Sequence, residues 1–397
     1  MNVMAAKIPC RTSLNVILLL LLVSVSVTVA TTNNEELVEW LRSKGGYWNP
    51  KQTLTSRDGL FGVFANEQIN KDEILASIPW SCTITLEEEE EYDDTEEAKD
   101  RFENCDMVQT LADEISKGNK SSYALYVQGL VDTAKEHSRL LPSYWSQQGK
   151  DLLLKITGNG TLPPDNILNE NDEWKEKCEK INKDTTLLVM THGEDFGMVP
   201  ITDKYNSRSG KWTGAYFSIE GGGYGDKENV ALEIRAYRDL EPNEQIFTDY
   251  KDYGQIGTPE LLRDYGFVEF YPQTWIFHEQ HIAFDVIEPK IGELEIDWKR
   301  RVLGKRYNDP GERTVKFLRE QLQRLEQDVH SVIDQSRRMV LVESENESSS
   351  SSSTSLSEHE FQVIDRFYND LTTALRLAIT YASEEYNIGN GMHGDEF

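Results

Sequence analysis

Tyr250 closes an apolar run, Ile246-Phe247, inside the stretch Glu244 to Tyr271 (EQIFTDYKDYGQIGTPELLRDYGFVEFY). A strand that ends on a tyrosine can hold the phenol oxygen in an apolar channel, a placement suited to chemistry on an amine. The plainer alternative is a tyrosine that only packs. A loop with Gly254 and Gly257 follows, then the helix start Thr258-Pro259-Glu260, then Asp264-Tyr265-Gly266-Phe267. Tyr253, which also precedes a glycine, is the rival to Tyr250. Tyr265 and Phe267 read as walls of such a channel, or as packing beneath it. Two more segments carry groups that could join this chemistry. One is Gly59-Leu60-Phe61-Gly62, where glycine permits close approach of the main chain. The other is Met198 to Ser209 (MVPITDKYNSRS), with Asp203, Asn206 and Ser207. Singly, each also reads as a tight turn or a polar turn with local side-chain bonds.

The elements that would hold these residues can be read from period and punctuation. Glu35 to Ser43 predicts a short helix. Gly59 to Ala65 and Ile74 to Ile78 predict short strands with turn residues between them. Cys105 to Lys117 and Tyr123 to Thr133 have helical spacing. Ala215 to Ile219 and Val230 to Ala236 are strand-like, joined by Glu220-Gly221-Gly222-Gly223-Tyr224-Gly225-Asp226. A phosphate loop should feed a helix N-terminus. Here a second strand follows, so a hairpin is expected instead.

Beyond Trp275 the pattern changes. Val315, Leu318, Leu322, Leu325, Val329 and Val332 fall on one helical stripe, as do Phe361, Ile364, Phe367, Leu371, Leu375 and Ala378. Ser357 with Glu360 forms a capping box. Between the stripes, the serine-rich segment 344–355 cannot bury enough surface to fold. An antiparallel helical hairpin with a flexible connection is expected.

Taken together and in order, three segments resemble the SET-domain protein methyltransferases. They are Trp40 to Pro79, Met198 to Ser209 and Glu244 to Tyr271. More narrowly, they are similar to the branch typified by the Rubisco large-subunit lysine methyltransferases. The motifs are Gly59-Leu60-Phe61-Gly62-Val63-Phe64-Ala65, Ile78-Pro79, Asp203 with Asn206, Glu244-Gln245 with Tyr250, and Glu260-Leu261-Leu262 with Tyr265-Gly266-Phe267. Leu141-Pro142-Ser143-Tyr144-Trp145 resembles an element of that branch's helical insertion.

The resemblance implies an α+β protein with three parts. Residues 36–275 would be a SET-type fold of short strands, interrupted by a helical insertion at about 86–190. Residues 276–397 would be an all-α domain that helps hold a protein substrate. The cofactor implied is S-adenosylmethionine (SAM), and the reaction is methyl transfer to a lysine. Gly59, Leu60 and Phe61 would give backbone contacts to SAM's amino-acid end. Asp203, Asn206, Ser207 and Tyr250 would complete its site, with Tyr250 as the catalytic tyrosine. Transfer itself needs alignment and water exclusion more than acid–base machinery. Three departures stand out: Ser207 replaces the branch's histidine, Thr191-His192 sits near the place of a Ser/Thr-Arg pair, and Lys204 and Tyr205 replace residues that are normally apolar. Ser207 and His192 favour the alternative of a non-catalytic binding module; a protein-histidine methyltransferase is the second alternative, because relatives with the same domain plan modify histidine.

The formal net charge of -28 excludes nucleic acid as a direct partner, because phosphate repels such a surface. The acidic run 87–97 reads as a solvated face. Lys7 and Arg11, the apolar run Val16 to Val23, and Thr28-Val29-Ala30 make residues 1–30 a targeting segment. A cleaved signal peptide is expected, an uncleaved anchor being the alternative and the only route to a membrane. The expected location is the secretory pathway or endoplasmic reticulum, or a plastid reached through that route. Cys82, Cys105 and Cys178 make neither a disulfide framework nor a zinc site and leave at least one thiol unpaired. His278 and His281 lack metalloprotease spacing, so no metal is expected.

Overall fold

The computed structural model describes residues 27–57, 60–86, 105–169, 172–194, 197–220, 230–251, 256–302, 304–307, 310–345 and 356–391. Gly59, Tyr253, most of the targeting segment, the acidic run, the glycine-rich turn after Glu220 and the serine-rich segment from 346 to 355 lie outside these residues.

The first helix, α1 (Val27–Ser43), leads into β1 (Tyr47–Trp48), β2 (Gln52–Arg57), β3 (Leu60–Ala65) and β4 (Ile74–Pro79). A helical insertion follows: α2 (Asp106–Lys117), α3 (Ala124–Leu140), α4 (Gln147–Thr157) and α5 (Glu173–His192). The chain returns through β5 (Gly193–Glu194), β6 (Gly197–Met198), β7 (Ala215–Glu220) and β8 (Ala231–Ala236), then enters α6 (Thr258–Tyr265). The main sheet is antiparallel in the order β1-β4-β8-β7. β7 and β8 pair from Ala215↔Ala236 to Glu220↔Ala231, the hairpin expected from the sequence. Alternation along β8 buries Leu232, Ile234 and Ala236. They join Leu41, Val63, Ile78, Leu111, Leu130 and Leu188 in one core shared by the strands and by α1, α2, α3 and α5.

The C-terminal region departs from the all-α expectation at its start. β9 (Gln273–Phe277), β10 (Ile282–Lys290) and β11 (Glu293–Trp298) form an antiparallel sheet of order β11-β10-β9. The burial of β9 on both faces explains why the pattern hid that strand. Trp275, Phe277 and Phe284 enter the core beneath the helices, while Ile276 and Ala283 pack with Val302 and Tyr307. A strand buried on both sides shows no polar alternation. The helical hairpin follows as expected. α7 (Glu312–Arg324) runs through a π turn, Leu325–Val329, into α8 (His330–Glu345), and α9 (Glu358–Gly391) returns. Both stripes face this core: Leu318, Leu325, Val329, Ile364, Phe367, Leu371, Leu375 and Ala378 are buried. Ion pairs Arg376–Glu326 and Arg337–Asp365 fix the antiparallel register. Among the described residues, no helix is long and apolar enough to cross a membrane.

One insertion helix belongs to the second core. Leu152, Leu153 and Ile156 of α4, with Leu162, Ile167 and Leu168 after it, pack among C-terminal residues. Both ends of α4 are held by charges of the sign that suits a helix dipole. At its N-terminus the Glu360 carboxylate accepts from Ser146 N–H and Ser146 Oγ–H, each at 2.7 Å. At its C-terminus the Arg324 guanidinium donates to the Lys155 and Ile156 carbonyls at 2.8 and 2.7 Å. Glu360 also completes the capping box of α9, accepting from Ser357 N–H at 3.0 Å while its own N–H donates to Ser357 Oγ at 3.2 Å. One carboxylate thus serves two helix starts. Glu360→Ala is expected to cost about 2–3 kcal/mol in urea unfolding, and Glu360→Gln less.

Two further links shape the insertion. A disulfide joins Cys105 to Cys178, tying α2 to α5, and Cys82 is free and buried. Asn182 interrupts α5 with extended backbone and caps its second half, its Oδ1 accepting from Thr185 N–H at 3.0 Å. That second half ends on His192, at the site described next.

Candidate active site

Tyr250 lies where three chain segments meet edge to edge. The segment 244–248 pairs with β3 on one side: Ala65 N–H donates to Glu244 O, and Ile246 N–H to Val63 O. On the other side it runs parallel to 206–208, with Thr248 N–H donating to Asn206 O and Arg208 N–H to Thr248 O, both at 2.9 Å. This three-way pairing brings the separated motifs together. Asn206 Nδ2 donates to the Phe61 carbonyl at 2.6 Å. Gly62 lies close beside it: a Cβ there would displace the amide ends of Gln245 and Asn206.

The phenol of Tyr250 donates to the Tyr205 carbonyl at 2.9 Å, and its N–H donates to Ser207 Oγ at 3.1 Å. Ser207 therefore anchors the tyrosine's backbone. Tyr205 is fully buried, its own hydroxyl donating to Gln52 Oε1 at 3.1 Å. Burial, and then the charge of Asp203, push the Tyr250 hydroxyl well above the ordinary phenol range. It stays protonated throughout the neutral range. Tyr265 leans on Tyr250 with ring centroids 5.0 Å apart, and Phe267 packs edge-on at 6.5 Å.

These groups border a cavity of ≈ 590 Å³. Tyr250, Tyr265, Thr248 and Asp203 line it, with His192 and Glu194 from the end of α5 and from β5, and Tyr216, Phe217 and Tyr237 from the hairpin side. No lysine or arginine is among the lining residues. Asp203 is 3% exposed, with Lys204 Nζ at 2.7 Å and His192 Nδ1 at 3.3 Å from its Oδ2. Burial pushes its carboxyl up, but Lys204 and His192 more than offset this and hold it below the usual carboxylate range. Its other oxygen, Oδ1, is buried without a hydrogen-bond partner among the described residues. A buried acceptor left open is costly, and it suits an N–H donor or a cation arriving in the cavity.

Of the residues expected from the sequence, Asp203 and Tyr250 line the cavity. Phe61, Asn206 and Ser207 stand behind it: Asn206 fixes the Phe61 carbonyl, and Ser207 fixes Tyr250. Leu60 opens β3, paired with Arg57. His192, noted in the sequence only as a substitution, faces Asp203. Tyr216, Phe217, Tyr237 and Glu194 were missed. Hairpin aromatics carry no local mark that separates lining from packing.

Below Tyr250 lies a buried polar network. Lys251 and Glu269 form an ion pair with side chains 2% and 1% exposed. Lys251 Nζ also donates to Thr274 Oγ1 at 3.1 Å, and Thr258 Oγ1 donates to Glu269 at 2.7 Å. Ser209 Oγ donates to Asp249 at 3.0 Å. The network ties the segment around Tyr250 to α6 and β9. Elsewhere, His278 Nδ1 meets Tyr307 Oη at 2.8 Å, and no cluster of metal-ligating side chains occurs among the described residues.

Residues 60–251 match the family model of the SET domain. Among solved structures the chain is similar to the SET domain of LSMT bound to lysine and AdoHcy, at 14% identity, covering 91% of this chain and 95% of that one with a TM-score of 0.39. It is also similar to Rubisco LSMT bound to AdoMet, at 13% identity over 89% and 92%, with a TM-score of 0.46. No curated protein matches the chain by sequence.

Proposed function

Because the chain carries a SET domain over residues 60–251, we propose that it is a SAM-dependent methyltransferase acting on a lysine side chain of a protein. The observation that carries this reading is the cavity itself: a buried phenol and a buried carboxylate with an open oxygen, and no lysine or arginine in the lining. Such a cavity takes cationic groups and disfavours phosphates. SAM, when bound, supplies a methyl group on a positively charged sulfur. Asp203 Oδ1, in the cavity lining, is the group that would meet its positive charge, and Asn206, behind the lining, holds the Phe61 carbonyl in place.

The chain's own residues have three tasks. Tyr250, locked by the Tyr205 carbonyl and Ser207, fixes one hydroxyl oxygen where positive charge shifts during transfer. Tyr265 and Phe217 keep water from an incoming amine. Asp203, ionised at neutral pH, holds a negative potential over the cavity. It is a poor base, so the amine must lose its proton before or on entry. Ser207 and His192, the departures that favour a non-catalytic module, are built into the site by defined contacts.

Calorimetry tests the reading. Protein of residues 31–397 is expected to bind SAM and its demethylated product in the micromolar range. Asn206→Ala, which frees the Phe61 carbonyl, is expected to weaken binding by about 1–3 kcal/mol. No heat from the unmutated protein would retire the enzyme and leave the binding module.

The proposed compartment is the secretory pathway. Its support is the apolar segment Val16 to Val23 and the Cys105–Cys178 disulfide, a bond that persists in oxidising compartments. Three sequons are present: Asn119, Asn159 and Asn346. Asn119 and Asn159 are exposed, and Asn346 lies outside the described residues. Expression in a native-like host should yield protein beginning near Thr31 with glycan on Asn346. N-terminal sequencing and glycosidase-dependent mobility check this. An unglycosylated cytosolic protein that keeps its first residues would refute it.

A further inference from the structure

Beside the cavity mouth, five side chains alternate between cation and ring. Lys211 Nζ stands 5.4 Å from the Trp212 ring centre, and the Arg208 guanidinium covers the same ring at 3.8 Å. Arg208 also lies 5.6 Å from the ring of Phe270, whose next neighbour is the Arg366 guanidinium at 4.2 Å. Phe270 is 60% exposed. The strip adjoins the cavity, since Gly210 and Thr213, between and beside these residues, are part of its lining.

In a chain with net charge -28, three cations side by side invite a carboxylate neighbour. Among the described residues, neither Arg208 nor Lys211 forms an ion pair. Arg208 has one long bond, to the Tyr271 carbonyl at 3.5 Å, and its Nε is buried without a partner. Lys211 donates only to the Glu288 backbone carbonyl at 3.1 Å. The nearby carboxylates are engaged elsewhere: Glu269 with Lys251, Asp370 with Gln273 and Arg366, Glu288 with Gly292 N–H. Stacking on rings leaves a guanidinium's edge open to carboxylate oxygens.

We propose that this strip docks an acidic segment of the protein substrate next to the side chain that enters the cavity. It rests on the methyltransferase reading for what the cavity does, and on charge complementarity for what the strip takes. Arg208 and Lys211 supply charge-assisted bonds to Asp or Glu of the segment, and Phe270 gives its stem an apolar rest.

The test uses protein of residues 31–397 and two fluorescent peptides. One carries a single lysine among glutamates; in the other, glutamines replace the glutamates. Anisotropy is expected to show the glutamate peptide binding about tenfold tighter, with the preference shrinking as salt rises. Lys211→Gln and Arg208→Gln should each weaken that peptide about three- to tenfold and leave the glutamine peptide unchanged. Lys211 is exposed, so its variant folds whatever happens at Arg208. Equal binding of the two peptides, or a preference that survives both substitutions, overturns the strip. SAM calorimetry on the same samples separates the two readings. A strip that behaves as expected in a protein that binds no SAM would stand while the methyltransferase fell.

Discussion

Tyr250→Phe is expected to lower methyl transfer about 10²–10³-fold while SAM binding stays close to that of the parent. The variant removes one oxygen and keeps the ring, so the contacts with Tyr265 and Phe267 survive. The Tyr205 carbonyl loses its donor at 2.9 Å but keeps Thr248 Oγ1 at 3.4 Å, so the stability cost should be about 1 kcal/mol or less. What disappears is a fixed dipole at the place where charge moves from sulfur to nitrogen. Labelling of protein extracts with radioactive cofactor gives the activity, and calorimetry the binding. Tyr253→Phe serves as the control. Full activity in Tyr250→Phe together with its loss in Tyr253→Phe would transfer the role to Tyr253.

Lys251→Met should produce the largest loss of stability of the substitutions considered. It leaves the Glu269 carboxylate at 1% exposure without its cation, a situation that costs about 3–5 kcal/mol. The penalty carries a pH signature. Burial already pushes the Glu269 carboxyl up, with Lys251 pulling it back. Without Lys251 its folded-state pKa rises further above the unfolded value. A raised folded pKa favours folding fully below the unfolded pKa, and that advantage is lost as pH rises through the folded one. The variant's melting temperature should therefore approach the parent's toward about pH 5 and fall away toward about pH 8. Adding Glu269→Gln removes the stranded charge and should restore most of the loss at the higher pH. A deficit that ignores pH would mean that lost packing, and not charge, is responsible.

The sequence disclosed what depends on local period and on motif order. Helix stripes after Val315, the hairpin of β7 and β8 and the capping box at Ser357 are local properties, and the structure has them; the strand expected to end at Tyr250 is instead an extended segment held by isolated bridges, with Tyr250 itself in a turn. β9 was hidden because both of its faces are buried and the alternation vanished, whereas β11 does alternate, with Leu294, Ile296 and Trp298 turned to the core. The partners of Asp203 illustrate a second limit: Lys204 is adjacent and readable, but His192 reaches it only through the fold of α5 and β6. The Lys251–Glu269 pair was invisible for a simpler reason, since exposed and buried charges are written with the same letters. Ser207 looked like a loss, yet three-dimensional pairing makes it the acceptor for Tyr250's N–H.

The doubly held helix α4 has a consequence for the order in which the protein is made. Ser146 and Glu360 are separated by 214 positions, and the chain grows at about 5–20 residues per second, so α4 emerges roughly 10–40 s before the helix that receives it. During that interval Leu152, Leu153 and Ile156 lack the last helix, α9, that packs against them in the finished core. The first core can close around α2, α3 and α5 while the segment between them loops out, greasy and waiting. A ribosome that stalls before position 356 therefore releases a half-finished chain with an adhesive handle, and the speed of translation through the last third of the message decides how long a chaperone must guard it.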